Sequence, residues 1–256
     1  MMSPYNAPNE LRIFGISTMP EIKKGDNISD MILEHLAAAR EELVDGDVVV
    51  VAQKIISKAE GRYIDLNAIK PKEKTIRLAK EVNKDPRLVE IILGESKSVI
   101  AKSSGILIVE HKSGVILANA GVDRSNVQSL NDSTVTLLPK NADQSASTLL
   151  KNLGKDIAVI INDSIGRAWR VGTTGTAIGV AGLSAIIDMN GRPDMQGRTL
   201  KGTTIALADE LASAASIVMG QASEARPVVI IRGLSQHLSS DDSKSLLRPP
   251  EKDLFR

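Results

Sequence analysis

IAVIINDSIGR, residues 157–167, is an apolar run of strand length, Ile157 to Ile161, that stops abruptly at Asn162, Asp163, Ser164 and Gly166, with Arg167 and Arg170 beyond. VVVVA at residues 48–52 has the same character and follows the turn residues Asp45, Gly46 and Asp47. A third run, Gly114 to Leu117, leads into ANAGVDRSN at 118–126, which carries Asn119, Gly121, Asp123, Ser125 and Asn126. Apolar runs without alternation predict strands covered on both faces. Between them, strand-like and helix-like runs interleave irregularly, without the steady alternation of a doubly wound sheet. The expected class is therefore α+β.

Working outward, Arg12 to Ser17 reads as a strand that gives way to a loop at Met19-Pro20. A helix is expected from Ser29 to Glu42, with Met31, Ile32, His35, Leu36 and Ala39 on its apolar face. The charged stretch Lys70 to Lys84 fits a solvent-facing helix with Ile76, Leu78 and Ala79 inward. Pro86 opens another helix through Leu93, with Gly94 as its cap. Ser98 to Leu117 predicts a hairpin or meander broken near 103–105 and 112–114, which places His111 in a turn. Thr134 to Leu138 is a further strand, and Asp143 or Ser145 is expected to cap a helix that ends near Gly154. The glycines at 172, 175, 179 and 182 predict backbone that approaches a ligand closely or turns a strand. Ile205 to Met219 reads as a buried, Ala-rich helix and Val228 to Ile231 as a last strand. Residues 1–236 are read as one domain, with room for two intertwined subdomains, and 237–256 as a C-terminal tail that Leu246, Leu247, Leu254 and Phe255 dock onto the body.

Composition narrows the function classes. Lys plus Arg is 32 and Asp plus Glu 31, so no net charge drives binding to nucleic acid. The aromatics Phe14, Phe255, Tyr5, Tyr63 and Trp169 are scattered and form no base-stacking platform. There is no Cys, which excludes disulfides, thiolate zinc sites and iron–sulfur ligation. No membrane span or secretory signal is expected, and a cytoplasmic location follows. The Walker and G-x-G-x-x-G signatures are absent, so the fold is neither P-loop nor Rossmann and any nucleotide is held otherwise.

Two buried strands that each end in an Asp beside a hydroxyl or amide frame a site for a divalent ion and polyphosphate, because hard cations take oxygen ligands. Asp123 and Asp163 equally suit strand-end turns and helix caps. Gln53, Lys54, Ser57, Lys58 and Gly61 follow a buried strand, either as a phosphate-contact loop or as a solvated loop.

The segments VVVVAQKIISKAEGR (48–62), ILANAGVDRSNV (116–127), INDSIGRAWRVG (161–172), AIGVAGL (177–183), ALADELASAASIVMGQA (206–222) and PVVIIRG (227–233), with the ending RPPEKDLFR, occur in one order. Together they resemble the coenzyme F420-0:L-glutamate ligases, the gamma-glutamyl ligases of deazaflavin cofactor biosynthesis. The resemblance implies that GTP phosphorylates the terminal carboxylate of coenzyme F420-0, that the amine of L-glutamate attacks the acyl phosphate, and that later rounds extend through the gamma-carboxylate. It implies Asp123 and Asp163 as metal ligands, Ser164 and Gln221 completing the shell for Mg²⁺ or Mn²⁺, K⁺ as a further cation, and Lys58 beside the aspartates in catalysis. Nucleotide contacts are implied at Met19, Pro20, Glu21 and Ile22, at Gln53, Lys54, Lys58 and Asn126, and along Met219, Gly220, Gln221, Ala222, Ser223, Glu224, Ala225 and Arg226. A homodimer is implied as well. The chain departs from the family at Glu21, often apolar, at Ser164, often Thr, and at Thr173, Thr174 and Gly175, often Gln-Thr-Asp. A metal-dependent phosphohydrolase or a non-catalytic nucleotide-binding regulator would share the same features.

Overall fold

The computed structural model describes residues 7–123, 133–234 and 241–255. In chain order the elements are β1 (Arg12–Ile16), α1 (Ile28–Ala38), β2 (Val48–Ala52), α2 (Gln53–Ala59), β3 (Tyr63–Asp65), α3 (Glu73–Glu81), α4 (Pro86–Gly94), β4 (Ser96–Ser103), β5 (Ile106–His111), β6 (Ile116–Ala118), β7 (Thr134–Thr136), α5 (Ala142–Leu153), β8 (Ala158–Gly166), β9 (Thr173–Ala181), β10 (Ile187–Asp188), β11 (Thr204–Ile205), α6 (Leu207–Met219) and β12 (Val228–Arg232). The main sheet has the order β1-β12-β2-β8-β9, with β2 and β8 parallel and the other pairings antiparallel. Smaller sheets pair β3 with β7, β10 with β11, and β4 with β5 and β6. This is an α+β fold, and the main sheet is open. No helix among the described residues is long and apolar enough to cross a membrane.

The unbroken apolar runs are explained by the two faces of this sheet. Val49, Val51, Val159 and Ile161 pack with Ile32 and Leu36 of α1, Ile55 and Ile56 of α2, and Leu149 and Leu153 of α5. Val48, Val50, Ala158 and Ile160 pack on the other face with Leu207, Leu211, Ala212 and Ala215 of α6. Each fully buried Val, Leu or Ile among them contributes about 1.5–3 kcal/mol. A separate cluster joins Ala79 and Val82 to Val89 and Ile92 of α4 and Leu107 and Val109 of β5.

Several local expectations are corrected. Residues 53–59 are a helix rather than a loop, since nothing in the run Gln53 to Ala59 breaks one. β8 does not stop at Asn162 but continues through Asp163 and Ser164 to Gly166, held by pairing with β9. α1 ends at Ala38 because Arg40 takes a left-handed φ of 57°. The Arg40 and Glu41 N–H groups then donate to Ala37 and Leu36 carbonyls, closing a Schellman turn without glycine. On α3, Ala79 is buried and Leu78 packs against the same cluster as expected, but Ile76 is 37% exposed and Thr75 is buried in its place. Gly94 lies in the last turn of α4, with Glu95 as the cap, and His111 is a buried strand residue. Asn141, rather than Asp143 or Ser145, caps α5, and the Asp143 carboxylate accepts from Val180 N–H and Ser243 N–H, at 2.9 Å each.

Glycines in β9 serve helix packing rather than a ligand. A bulge between Ile161 and Asn162 leaves Ile178 without an opposite residue and reverses the facing of β9. Gly175 consequently meets α6, where a Cβ would run into the Ala212 carbonyl and the Ser216 hydroxyl. Gly179 meets α5, where a Cβ would lie 2.5 Å from the Ala142 carbonyl oxygen. In the tail, Ser243 is buried and Leu246 packs on the α6 side, whereas Leu254 is 89% exposed.

Candidate active site

The parallel pair sets the site's position. β2 and β8 run side by side with Ala52 opposite Asn162, so both release their polar followers at one end of the sheet. The antiparallel β12 begins at that end, with Val228 opposite Val51, and β1 finishes there, with Ile16 opposite Val228. Four connections therefore meet: the start of α2, the polar half of β8, the segment from α6 to β12, and the loop after β1. They enclose a cavity of about 590 Å³ lined by Met19–Ile22, Ala52–Ile55, Lys58, Asp123, Asn162–Ser164 and Met219–Pro227.

Asp123 arrives from a different direction. The chain leaves β6 through left-handed residues Asn119, Ala120 and Gly121, with φ of 53°, 54° and 67°. Asn119 holds this turn by accepting Leu107 N–H through its side chain, at 3.2 Å. Asp123 then makes a backbone bridge to Thr136, which presents its carboxylate to the cavity. Non-glycine residues in this conformation are costly and persist only where the surroundings hold them, here Leu138 packed over the turn.

Charge concentrates at this point. Lys54 Nζ lies 2.7 Å from Asp123 Oδ2. Burial pushes the Asp163 carboxyl above the ordinary carboxylate value and Asp123 adds to the rise, while Ser164 N–H, Lys54 and Gln53 oppose it. Gln53 is buried and its Oε1 accepts from the buried Ser57 hydroxyl at 3.0 Å, so its amide is turned to hydrogen-bond Asp163. Gln221 Oε1 accepts from Ser164 Oγ at 2.8 Å, bringing the α6–β12 segment onto β8. Two carboxylates, a hydroxyl and an amide oxygen are the donor set of a hard divalent cation. Among the described residues no third carboxylate or imidazole joins them. That suits Mg²⁺, which keeps water and phosphate oxygens in its shell.

The residues expected for the nucleotide largely converge. Met19 and Ile22 line the cavity while their side chains are buried in the core, so they anchor the loop. Lys58 has a side chain only 10% exposed and its ammonium lies 3.6 Å from Glu21. Met219, Gly220, Gln221, Ala222, Ser223, Glu224, Ala225 and Arg226 form one wall, where Glu224 accepts Ala222 N–H at 2.8 Å. Asn126 lies outside the described residues. Arg167 and Arg170 are exposed and are not part of the lining. Two contributors were not legible as such. Ser57 orients Gln53 through the i, i+4 spacing of a helix. Asn162 holds the end of α6 through Ser216 Oγ, at 3.1 Å, and its own buried Oδ1 has no partner. A second groove of about 520 Å³ between α1, α2 and α5 contains none of these residues, and its Glu60 is already engaged by Lys140 N–H and the Ser145 hydroxyl.

Comparison with known proteins places the chain among relatives of one description. The family described as F420-0:Gamma-glutamyl ligase matches residues 15–233. The chain is 47% identical over 252 residues to the Coenzyme F420:L-glutamate ligase of Methanothermobacter thermautotrophicus, covering 96% of this chain and 99% of that protein. It is 42% identical over 253 residues to the protein of the same description from Methanocaldococcus jannaschii, covering 96% and 97%. For the one from Archaeoglobus fulgidus the figures are 35% over 250 residues, covering 96% of each.

Proposed function

The chain belongs to the F420-0:gamma-glutamyl ligase family, and from that premise we propose that it joins L-glutamate to coenzyme F420-0 with GTP as the phosphoryl donor. The observation that supports this reading is the gathering of Asp123, Asp163, Ser164, Gln221, Lys54 and Lys58 around one cavity from distant parts of the chain. The γ-phosphoryl group passes to the terminal carboxylate of coenzyme F420-0, the bond to the β-bridging oxygen breaks, and GDP leaves. The glutamate amine then attacks the acyl carbon, an amide forms with loss of a proton, and inorganic phosphate is expelled. Later rounds use the gamma-carboxylate of the glutamate just added.

Phosphoryl transfer asks for positioning and charge neutralisation more than for a protein nucleophile, which fits a chain with no Cys. A divalent cation held by Asp123, Asp163, Ser164 and Gln221 would draw charge from the transferring phosphoryl oxygens. Lys54 and Lys58 add positive charge beside the polyphosphate. Ser57 and Gln53 keep Asp163 oriented. The Gly220–Arg226 segment covers the nucleotide and carries Gln221 to Ser164. K⁺, which the family resemblance implies, would serve as a further cation, and the assay with and without KCl reads its contribution. We also propose a homodimer, supported by nearly fully exposed apolar side chains at Trp169, Val171 and Ile217.

The test incubates the protein with coenzyme F420-0, GTP, L-glutamate and Mn²⁺ or Mg²⁺, with and without KCl. Glutamyl mass increments, with steady GDP release that needs both acceptor and glutamate, are the expected result. GDP release without either would make the protein a phosphohydrolase, and binding without turnover would make it a regulator.

A further inference from the structure

Lys54 holds an unusual position for a phosphate contact. Its ammonium rests on Asp123 Oδ2 at 2.7 Å and is close enough to Asp163 to act on its charge. A side-chain cation therefore stands against the same carboxylates whose oxygens suit a divalent ion. The pair is partly sheltered, with side chains 23% and 38% exposed, so water does not erase the attraction. α2 begins directly after β2, which fixes the Lys54 backbone against the sheet. Its unbranched stem nevertheless lets the head group leave Asp123 without moving the helix. Lys58, one turn on, is engaged by Glu21 and does not share this task.

Resting on the ligase reading above, we propose that Lys54 is the site's own counter-cation. It holds Asp123 against the repulsion of Asp163 until a divalent ion takes that oxygen, and it then moves to the polyphosphate. Charge alone dictates the order. With both carboxylates ionised, as ligation of a divalent ion requires, they and the Lys54 ammonium carry one negative charge among them, and the ion turns this into one positive charge, which the phosphates offset. An ion arriving alone must displace an ammonium and keep a second positive charge nearby, so it binds weakly. An ion arriving with nucleotide finds a new partner for Lys54, so it binds tightly. Lys54 thereby couples cation binding to nucleotide binding, and linkage makes the coupling reciprocal.

Mn²⁺ alone is the probe, with the free ion counted by electron paramagnetic resonance and no nucleotide present. Lys54→Met keeps the apolar stem and removes the charge, and should bind Mn²⁺ on the order of tenfold more tightly than the native protein. Lys54→Arg keeps the charge and should leave Mn²⁺ binding as weak as in the native protein. With a non-hydrolysable GTP analogue the native affinity for Mn²⁺ should rise, and the rise should be smaller in Lys54→Met. If Lys54→Met does not fold by thermal unfolding, Lys54→Gln serves in its place. Equal or weaker Mn²⁺ binding by the uncharged variant overturns the role of Lys54 while leaving the ligase reading intact. Absence of Mn²⁺ binding to the native protein even with the analogue overturns both the cation site and this proposal.

Discussion

Burial raises the Asp163 carboxyl above its ordinary value, so the folded chain holds this proton more tightly than the unfolded chain does. Stability is therefore lost as pH climbs from the ordinary carboxylate value through the raised one, and the loss is complete only above the raised value. Asp163→Asn removes that cost and keeps the acceptor for Ser164 N–H, which donates to Asp163 Oδ1 at 2.9 Å. Without metal, the melting temperature of the variant relative to the native protein should rise as pH climbs through the raised value, and the gain should vanish in acid. The variant should also lose ligation. A variant whose relative stability does not rise with pH, or that keeps near-normal ligation, would remove Asp163 from this role. The two Asp residues were legible because each follows an apolar run. The orientation of Asp163 by Gln53 and Ser57 was not, since the i, i+4 spacing becomes meaningful only once residues 53–59 are a helix.

At the level of elements, β9 lies between two helices, and the bulge in its pairing with β8 decides which glycine faces which helix. Gly175→Ala and Gly179→Ala should each destabilise by about 1–3 kcal/mol, the usual cost of forcing a methyl into packed atoms. Their functional effects should differ. Gly175 presses on α6, whose end carries Gln221, so its variant should weaken GTP binding in a titration. Gly179 presses on the first turn of α5, away from the cavity lining, and its variant should bind GTP normally. Equal losses of affinity would mean that α6 does not control the segment. The run VVVVA announced a strand buried on both faces, but a bulge depends on pairing with a distant strand and leaves no local mark. The same holds for the left-handed Arg40 that ends α1, where neither Gly nor Asn signals the stop.

Over the whole molecule, the C-terminus returns to the body. The Phe255 ring lies 6.1 Å from Trp169, tilted by 57°, with the Arg248 guanidinium over its face. Trp169 is the sole tryptophan, 86% exposed, and so reports directly on this contact. Deleting Leu254 to Arg256 should lower Tm by about 1–3 °C, the scale of one half-exposed aromatic pair in a chain of this size. Tryptophan anisotropy should fall with it. Unchanged anisotropy would mean that the ring pair is not held in solution. Local periodicity and the order of motifs are properties of neighbouring residues, so the α+β class, the apolar strands of the main sheet, the helix expected over 205–219 and the family could all be read from the chain. Folding adds that β2 and β8 lie parallel with Ala52 beside Asn162, and that the turn through Asn119 to Gly121 swings Asp123 toward Lys54. Strand neighbours are chosen by burying both faces of a sheet at once, a condition on the whole chain that no single segment carries.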